Sequence, residues 1–304
     1  MSRIGWCLGL IILIVASPAH AWSNQGHMAT GAIAYDLLAQ RDPAAIAAVE
    51  RLIDSHPDRA RFDSALAGLE GPARTRRMFE LIARWPDDIR GTGYTHPGWH
   101  HELRVVAGSR LFRGIRLGQA DHGFRTALHL LSNPHADPGR RAVALCWLFH
   151  IVGDMHQPLH AGHLMSARFP LTDKAGTIGW VRPAPATAPQ PLHQFWDMAA
   201  DRVGEEFAGA DSIARTAEPG LQPVLPDEDI MASYRAWVRE SEQIAAGVAY
   251  QVAALDESRK PGDAPILSAD YVAAARNTAE RRLGQAGARI AGLIERLFDL
   301  PATG

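Results

Sequence analysis

His150 and Asp154 stand four residues apart in Leu148-Phe149-His150-Ile151-Val152-Gly153-Asp154-Met155-His156-Gln157-Pro158-Leu159-His160. His193 and Asp197 repeat that spacing in Leu192-His193-Gln194-Phe195-Trp196-Asp197. On a helix, residues four apart stack on one face about a turn from each other, so each pair offers an imidazole and a carboxylate to a common point. Pro158 is expected to stop the first helix and swing His160 back towards its end. Three further ligand-type residues lie beside tryptophans: His27 five residues after Trp22, Asp87 after Trp85-Pro86, and His100 after Trp99. Each has a plain alternative. His150 and Asp154 could share a buried hydrogen bond, His193 and Asp197 could form a solvated helix face, and His27 and Asp87 could be helix-end residues. Taken together, imidazoles and carboxylates without cysteine suit zinc in a hydrolytic rather than a structural site.

The elements that must position these groups are helical. Val143 to Met155 carries apolar residues at nearly every helical spacing and reads as a buried helix, a setting in which a histidine and an aspartate need a reason. Residues 26–40, 43–53, 73–85, 124–131, 140–155, 192–203, 229–255 and 269–298 show 3.6-type periodicity, and alternating strand patterns are scarce. Asp42 before Pro43 and Asp137 before Pro138 are plausible helix starts. Irregular segments are expected at 88–118, 161–191 and 218–227, the second of them containing a proline-rich run over 181–191 that reads as an extended loop. No repeat and no composition shift divides the chain, so the expectation is one all-α domain over residues 22–304.

Residues 1–21 read as a secretory signal: Arg3, an apolar run from Ile4 to Ala16, and Ala19-His20-Ala21 as the cleavage site. The run is short for a transmembrane helix. Removal after Ala21 makes Trp22 the first residue and removes Cys7, leaving Cys146 alone as a small core residue with no intramolecular disulfide. The charges nearly balance, 31 Lys and Arg against 33 Asp and Glu, with no basic tail. A nucleic-acid substrate must therefore be held by a site rather than by a charged surface. His156 lies between ligand candidates but is not expected to bind metal, and His122, His129 and His135 read as solvated.

With those residues in view, the chain resembles the zinc-dependent single-strand nucleases of the S-one/P-one type, over nearly its whole length from Trp22. The resemblance implies an all-α fold with a trinuclear zinc cleft, shared with the zinc phospholipases C. It implies nine metal ligands: Trp22 (through its own amine and carbonyl), His27, Asp87, His100, His150, Asp154, His160, His193 and Asp197. One zinc is expected to take Asp87, His100, His150 and one oxygen of Asp154. A second takes Trp22, His27 and the other oxygen of Asp154, and a third takes His160, His193 and Asp197. Trp85-Pro86-Asp87-Asp88-Ile89-Arg90 matches the family's Trp-x-Asp-x-x-Arg segment, which makes Arg90 the phosphate-binding group. Asp87, Arg90 and Asp154 thus carry the catalytic roles. The implied reaction is in-line attack of a zinc-activated hydroxide on single-stranded DNA, RNA or a 3′-nucleotide, releasing 5′-phosphorylated products from the polymers, in the periplasm or outside the cell.

Two departures concern the substrate side. His101 stands where the family carries an aromatic that stacks on the base. The family's Gly-Gly-Asn segment is missing, with Thr172-Asp173-Lys174-Ala175-Gly176-Thr177 in its place. The rivals are a zinc phospholipase C, against which Asp197 argues because a glutamate is expected there, and a non-catalytic zinc-binding protein, against which a full ligand set argues.

Overall fold

The computed structural model describes residues 22–107, 116–217 and 229–298. The expected leader and the whole of the expected irregular segment at 218–227 lie outside the described residues. Among those described, eleven α-helices and a few short strands form the all-α architecture anticipated above. Helix α6 (Pro138–Asp154) is its axis: every residue from Ala144 to Asp154 is buried. The Asp137 side chain accepts the Arg140 amide hydrogen at 2.8 Å, with Pro138 in the first turn, so the helix starts as its sequence indicates. Asp42 caps α2 (Pro43–Ile53) in the same way through the amide of Ala45.

Helices α4 (Gly71–Asp88) and α5 (Ala120–Leu131) pack on α6, and α1 (Asn24–Arg41) packs against α4, α9 (Glu206–Thr216) and α11 (Ala269–Phe298). The main core runs through all of these except α9, with Phe79, Phe124, Trp147, Phe149 and Trp237 fully or almost fully buried. A second cluster joins Trp22, Met28, Ile33, Ile213 and Leu283, so the head of α1 is seated between α9 and α11.

Several elements differ from the periodicity reading. Helix α4 continues through Pro86 to Asp88: the proline forfeits its bond to the carbonyl four residues back, and the burial of Trp85, Pro86 and Asp87 offsets that loss. A short α3 (Arg59–Ala65) was not legible. Pro158 does more than end a helix: it opens the one-turn α7 (Pro158–Ala161), where its missing amide hydrogen costs nothing. Helix α8 (Leu192–Asp197) ends at Asp197 rather than continuing to 203. Helix α10 (Ile230–Ile244) passes into a π-helical turn over Ala245–Ala249, not a helix to 255.

The expected loops contain short strands. Strand β1 (Glu102–Ala107) pairs antiparallel with β2 (Arg116–Gly118) and parallel with β3 (Gly162–Leu164), which follows α7 directly. In the proline-rich segment, β4 (Trp180–Val181) pairs with β5 (Gln190–Pro191), so its two ends are joined rather than freely extended.

Candidate metal centre

Five of the predicted ligands meet where α1, α4, α6 and the 3-10 turn Pro97–His100 converge. Asp154 is fully buried at the end of α6, and its two oxygens face different ways. Oδ1 lies 3.3 Å from His27 Nε2; Oδ2 lies 3.2 Å from His100 Nδ1 and 3.3 Å from His150 Nε2. Asp87, in the last turn of α4, stands 3.8 Å from His150 Nε2 and 3.9 Å from both His27 Nε2 and His100 Nδ1. The His27 and His150 rings stack 4.0 Å apart. His150 donates Nδ1–H to the Ala83 carbonyl at 2.9 Å, which leaves its Nε2 as a bare lone pair aimed at the cluster.

Three more, His160, His193 and Asp197, form a second group. His160 donates Nδ1–H to the carbonyl of His100, which joins the two groups, and His193 donates Nδ1–H to the Ala175 carbonyl at 2.7 Å. Both Nε2 atoms therefore present lone pairs, and they face each other 3.2 Å apart, with Asp197 Oδ2 3.6 Å from that of His193. Burial holds His160 well below the ordinary imidazole range, so it is neutral near pH 7. Two lone pairs at that distance repel unless a cation receives both.

The donor set fits zinc. A tetrahedral zinc with ligands about 2.0–2.2 Å away holds its donors roughly 3.3–3.6 Å apart. The separations around Asp154 and between His160, His193 and Asp197 fall at or near that range. Burial and the neighbouring Asp87 push the Asp154 carboxyl well above its usual range, and burial does the same to Asp197. Asp87 is held low: burial opposes this, but His150, Arg90 and His100 outweigh it. Three carboxylates gathered in a nearly dry interior cost stability that bound cations offset.

The other predicted site residues are placed as follows. Trp22 is fully buried, and its indole Nε1–H donates to the Gly153 carbonyl at 2.9 Å, one residue before Asp154. The next amide, that of Ser23, donates to the Asp197 carbonyl at 3.0 Å. The start of the described chain is thus tied to both groups. Arg90 follows α4 and pairs with Asp87 Oδ1, while its Nε is buried with no hydrogen-bond acceptor among the described residues. His101 sits at the foot of β1, half-buried, its ring against Gly118. His156 points away, its Nε2 accepting from Arg289 at 2.7 Å, and His122, His129 and His135 are exposed. Cys146 is buried and free.

Three residues that matter here escaped the sequence reading. Gln157 is fully buried and donates Nε2–H to Asp197 Oδ1 at 2.7 Å, holding that carboxylate beside His193. Its place between Asp154 and His160 was the available signal. Gly153 makes room for His27, since a Cβ there would meet His27 Nδ1 at 3.1 Å. Gly118 has φ of +105°, and a Cβ there would run into the carbonyl and ring of His101. A glycine inside a helix that is dry on all sides is itself a cue to close packing.

A buried cluster of imidazoles and carboxylates in an all-α fold is a candidate metal centre, and comparison with known proteins gives the family. The family model described as S1/P1 Nuclease matches residues 22–299, and the chain belongs to that family. Endonuclease 1 of Arabidopsis thaliana is 24% identical over 312 residues, covering 98% of this chain and 94% of its own. Endonuclease 4 of the same plant is 24% identical over 330 residues, covering 95% and 93%.

Proposed function

We propose that this chain is a zinc-dependent phosphodiesterase that cleaves single-stranded DNA and RNA to 5′-phosphorylated nucleotides, removes 3′-phosphate from nucleotides, and works outside the cytoplasm after loss of residues 1–21. The observation that carries the reading is the division of Asp154, with one oxygen towards His27 and the other towards His100 and His150. A carboxylate so placed can bridge a close metal pair. Three ions are assigned: one to Asp87, His100, His150 and Asp154, one to Trp22, His27 and Asp154, and one to His160, His193 and Asp197. Bound zinc supplies Lewis acidity towards phosphoryl and leaving oxygens, and a water acidified into the neutral range.

The chain's own groups do the rest. Asp87 holds Arg90 at the rim of the cluster, and the unmet Nε of Arg90 suits a phosphate oxygen. The guanidinium offsets the negative charge that grows on the phosphoryl group during in-line attack. His101 is assigned the base contact, which requires an unstacked strand. Export is supported by the leader-like residues 1–21 and by a family match that begins at Trp22. No helix among the described residues is long and apolar enough to cross a membrane.

The test is hydrolysis by the processed, zinc-loaded protein of single-stranded RNA, single-stranded DNA, duplex DNA and phosphatidylcholine, each with and without chelator. Chelator-sensitive release of 5′-phosphorylated nucleotides from the single strands is the expected result. Headgroup release from the lipid alone would replace this reading with a phospholipase, and silence on all four would leave the zinc cluster without this substrate class.

A further inference from the structure

The segment Asp173-Lys174-Ala175-Gly176, which departs from the family's pattern, contains three consecutive residues in the left-handed region: Lys174 at φ +52°, Ala175 at +59° and Gly176 at +82°. Two of them carry a Cβ, which that conformation brings too close to the following carbonyl oxygen. A turn of this kind persists only where its surroundings over-determine it.

The surroundings are those of Asp173, whose side chain is fully buried. Its Oδ1 accepts from the Leu164 amide at 2.9 Å, at the end of β3, and its Oδ2 accepts from the Tyr250 hydroxyl at 2.8 Å, just past the π-helical turn. The backbone amides of Ala175 and Gly176 lie close enough to favour its ionised form. One carboxylate thus ties the turn to β3 and to the segment that follows the π-helical turn.

The product of that closure is a pair of carbonyls aimed at one residue. The Ala175 carbonyl accepts Nδ1–H of His193 at 2.7 Å, and the Gly176 carbonyl accepts the His193 amide hydrogen at 3.2 Å. Gly176 is packed against the same residue, since a Cβ there would meet the His193 nitrogen at 3.1 Å. We propose that Asp173 and Tyr250 are positioning residues for His193: they hold the left-handed turn that fixes its Nδ1-protonated tautomer and aims Nε2 at His160 and Asp197. This rests on the reading above that His160, His193 and Asp197 hold a zinc ion. If the turn relaxes to right-handed or extended backbone, the Ala175 carbonyl leaves, and the imidazole is free to rotate or to move its proton to Nε2, where it can no longer ligate.

The experiment uses the processed full chain carrying Asp173→Asn, Tyr250→Phe, Ala175→Gly, or Asp173→Asn with Ala175→Gly. Zinc per chain is measured after dialysis against a weak chelator, and the His193 Nδ1–H resonance is followed by NMR in metal-free protein, assigned by its loss in His193→Gln. Asp173→Asn is expected to weaken retention of one zinc of the set about 10–100-fold and to broaden or abolish the His193 resonance. Tyr250→Phe should do the same to a smaller extent. Ala175→Gly in the Asp173→Asn background should restore both, because glycine adopts the left-handed turn without the anchor's help. Wild-type zinc retention with an unchanged His193 resonance in Asp173→Asn overturns the proposal. Should that variant fail to fold, the same result in Tyr250→Phe overturns it. Should the wild type bind no zinc or cleave no nucleic acid, the functional reading fails, whereas the His193 resonance still decides the positioning.

Discussion

The two candidate ligand groups are built in different ways. His27, Asp87, His150 and Asp154 stand on α1, α4 and α6, three long helices packed through the main core, and His100 is delivered by a 3-10 turn lying against Trp147. His160, His193 and Asp197 stand on helices of four and six residues, aimed by partners distant in sequence: the His100 carbonyl, the Ala175 carbonyl and the Gln157 amide. The first group inherits its rigidity from helix packing. The second borrows it from hydrogen bonds to loops, so single polar substitutions should reach it more easily and leave the first group standing.

The largest effect is expected where the first group has no substitute. Asp154→Ala removes the carboxylate that faces both His27 and His100/His150, so both ions assigned to it should be lost. Turnover of single-stranded DNA should fall by about 10³-fold or more, corresponding to roughly 4 kcal/mol of lost transition-state stabilisation. Zinc analysis alongside kinetics checks this. Retention of the full zinc complement by Asp154→Ala would remove the bridge from the account.

Gln157→Ala aims at the second group alone. It frees Asp197 Oδ1 without touching a ligand, and a loss of about 10–100-fold in metal affinity or activity is expected, confined to one ion. Cobalt substitution with visible spectroscopy should show one altered signature beside unaltered ones. If the signatures of the first group shift as well, the two groups are coupled more tightly than their separate scaffolds imply.

This contrast also explains how much could be read beforehand. His150, Asp154, His193 and Asp197 announced themselves because a four-residue spacing has a geometric meaning on a helix. The same periodicity located α2 and α11 with correct bounds, and Asp42 and Asp137 marked real caps. What stayed hidden depends on backbone partners far along the chain. No local pattern tells that the Ala83 carbonyl holds His150, or that residues 174–176 turn left-handed to meet His193. The departure at 172–177 points by sequence to the substrate side, whereas its carbonyls face His193. The helical setting of Asp87, not its candidacy, lay hidden: Pro86 suggests the end of a helix, and only the burial of Trp85 and Pro86 shows why the last turn persists.

A smaller perturbation tests the helical scaffold itself. Gly153→Ala keeps α6 helical but places a methyl 3.1 Å from His27 Nδ1, tighter than an ordinary contact. His27 must yield by a few tenths of an ångström, and misplacement of that order is expected to reduce activity several-fold, within the roughly 10²-fold that a 1 Å error can cost. Helix propensity gains up to about 1 kcal/mol from replacing glycine, so thermal stability should be nearly unchanged while activity drops. Loss of both would mean that Gly153 serves packing rather than ligand placement.

The smallest expected effect lies at the seam between the two groups. Ser23, whose amide donates to the Asp197 carbonyl, also donates its hydroxyl to Asp201 Oδ1. Burial pushes the Asp201 carboxyl up to about 6, with the Ser23 hydroxyl and Arg202 opposing it and Glu206 adding to it. The folded protein therefore binds this proton more tightly than the unfolded chain does, between about pH 4 and 6. Asp201 stabilises the fold below that window, and the contribution is lost as pH rises through about 6, by an amount on the order of 1 kcal/mol. Asp201→Asn cannot titrate, so the difference in melting temperature between wild type and variant should change by a few degrees across pH 4–7 and stay flat above it. A difference that is constant over the whole range would show that Asp201 is ionised throughout, and that the seam is held by its charge rather than by its neutral form.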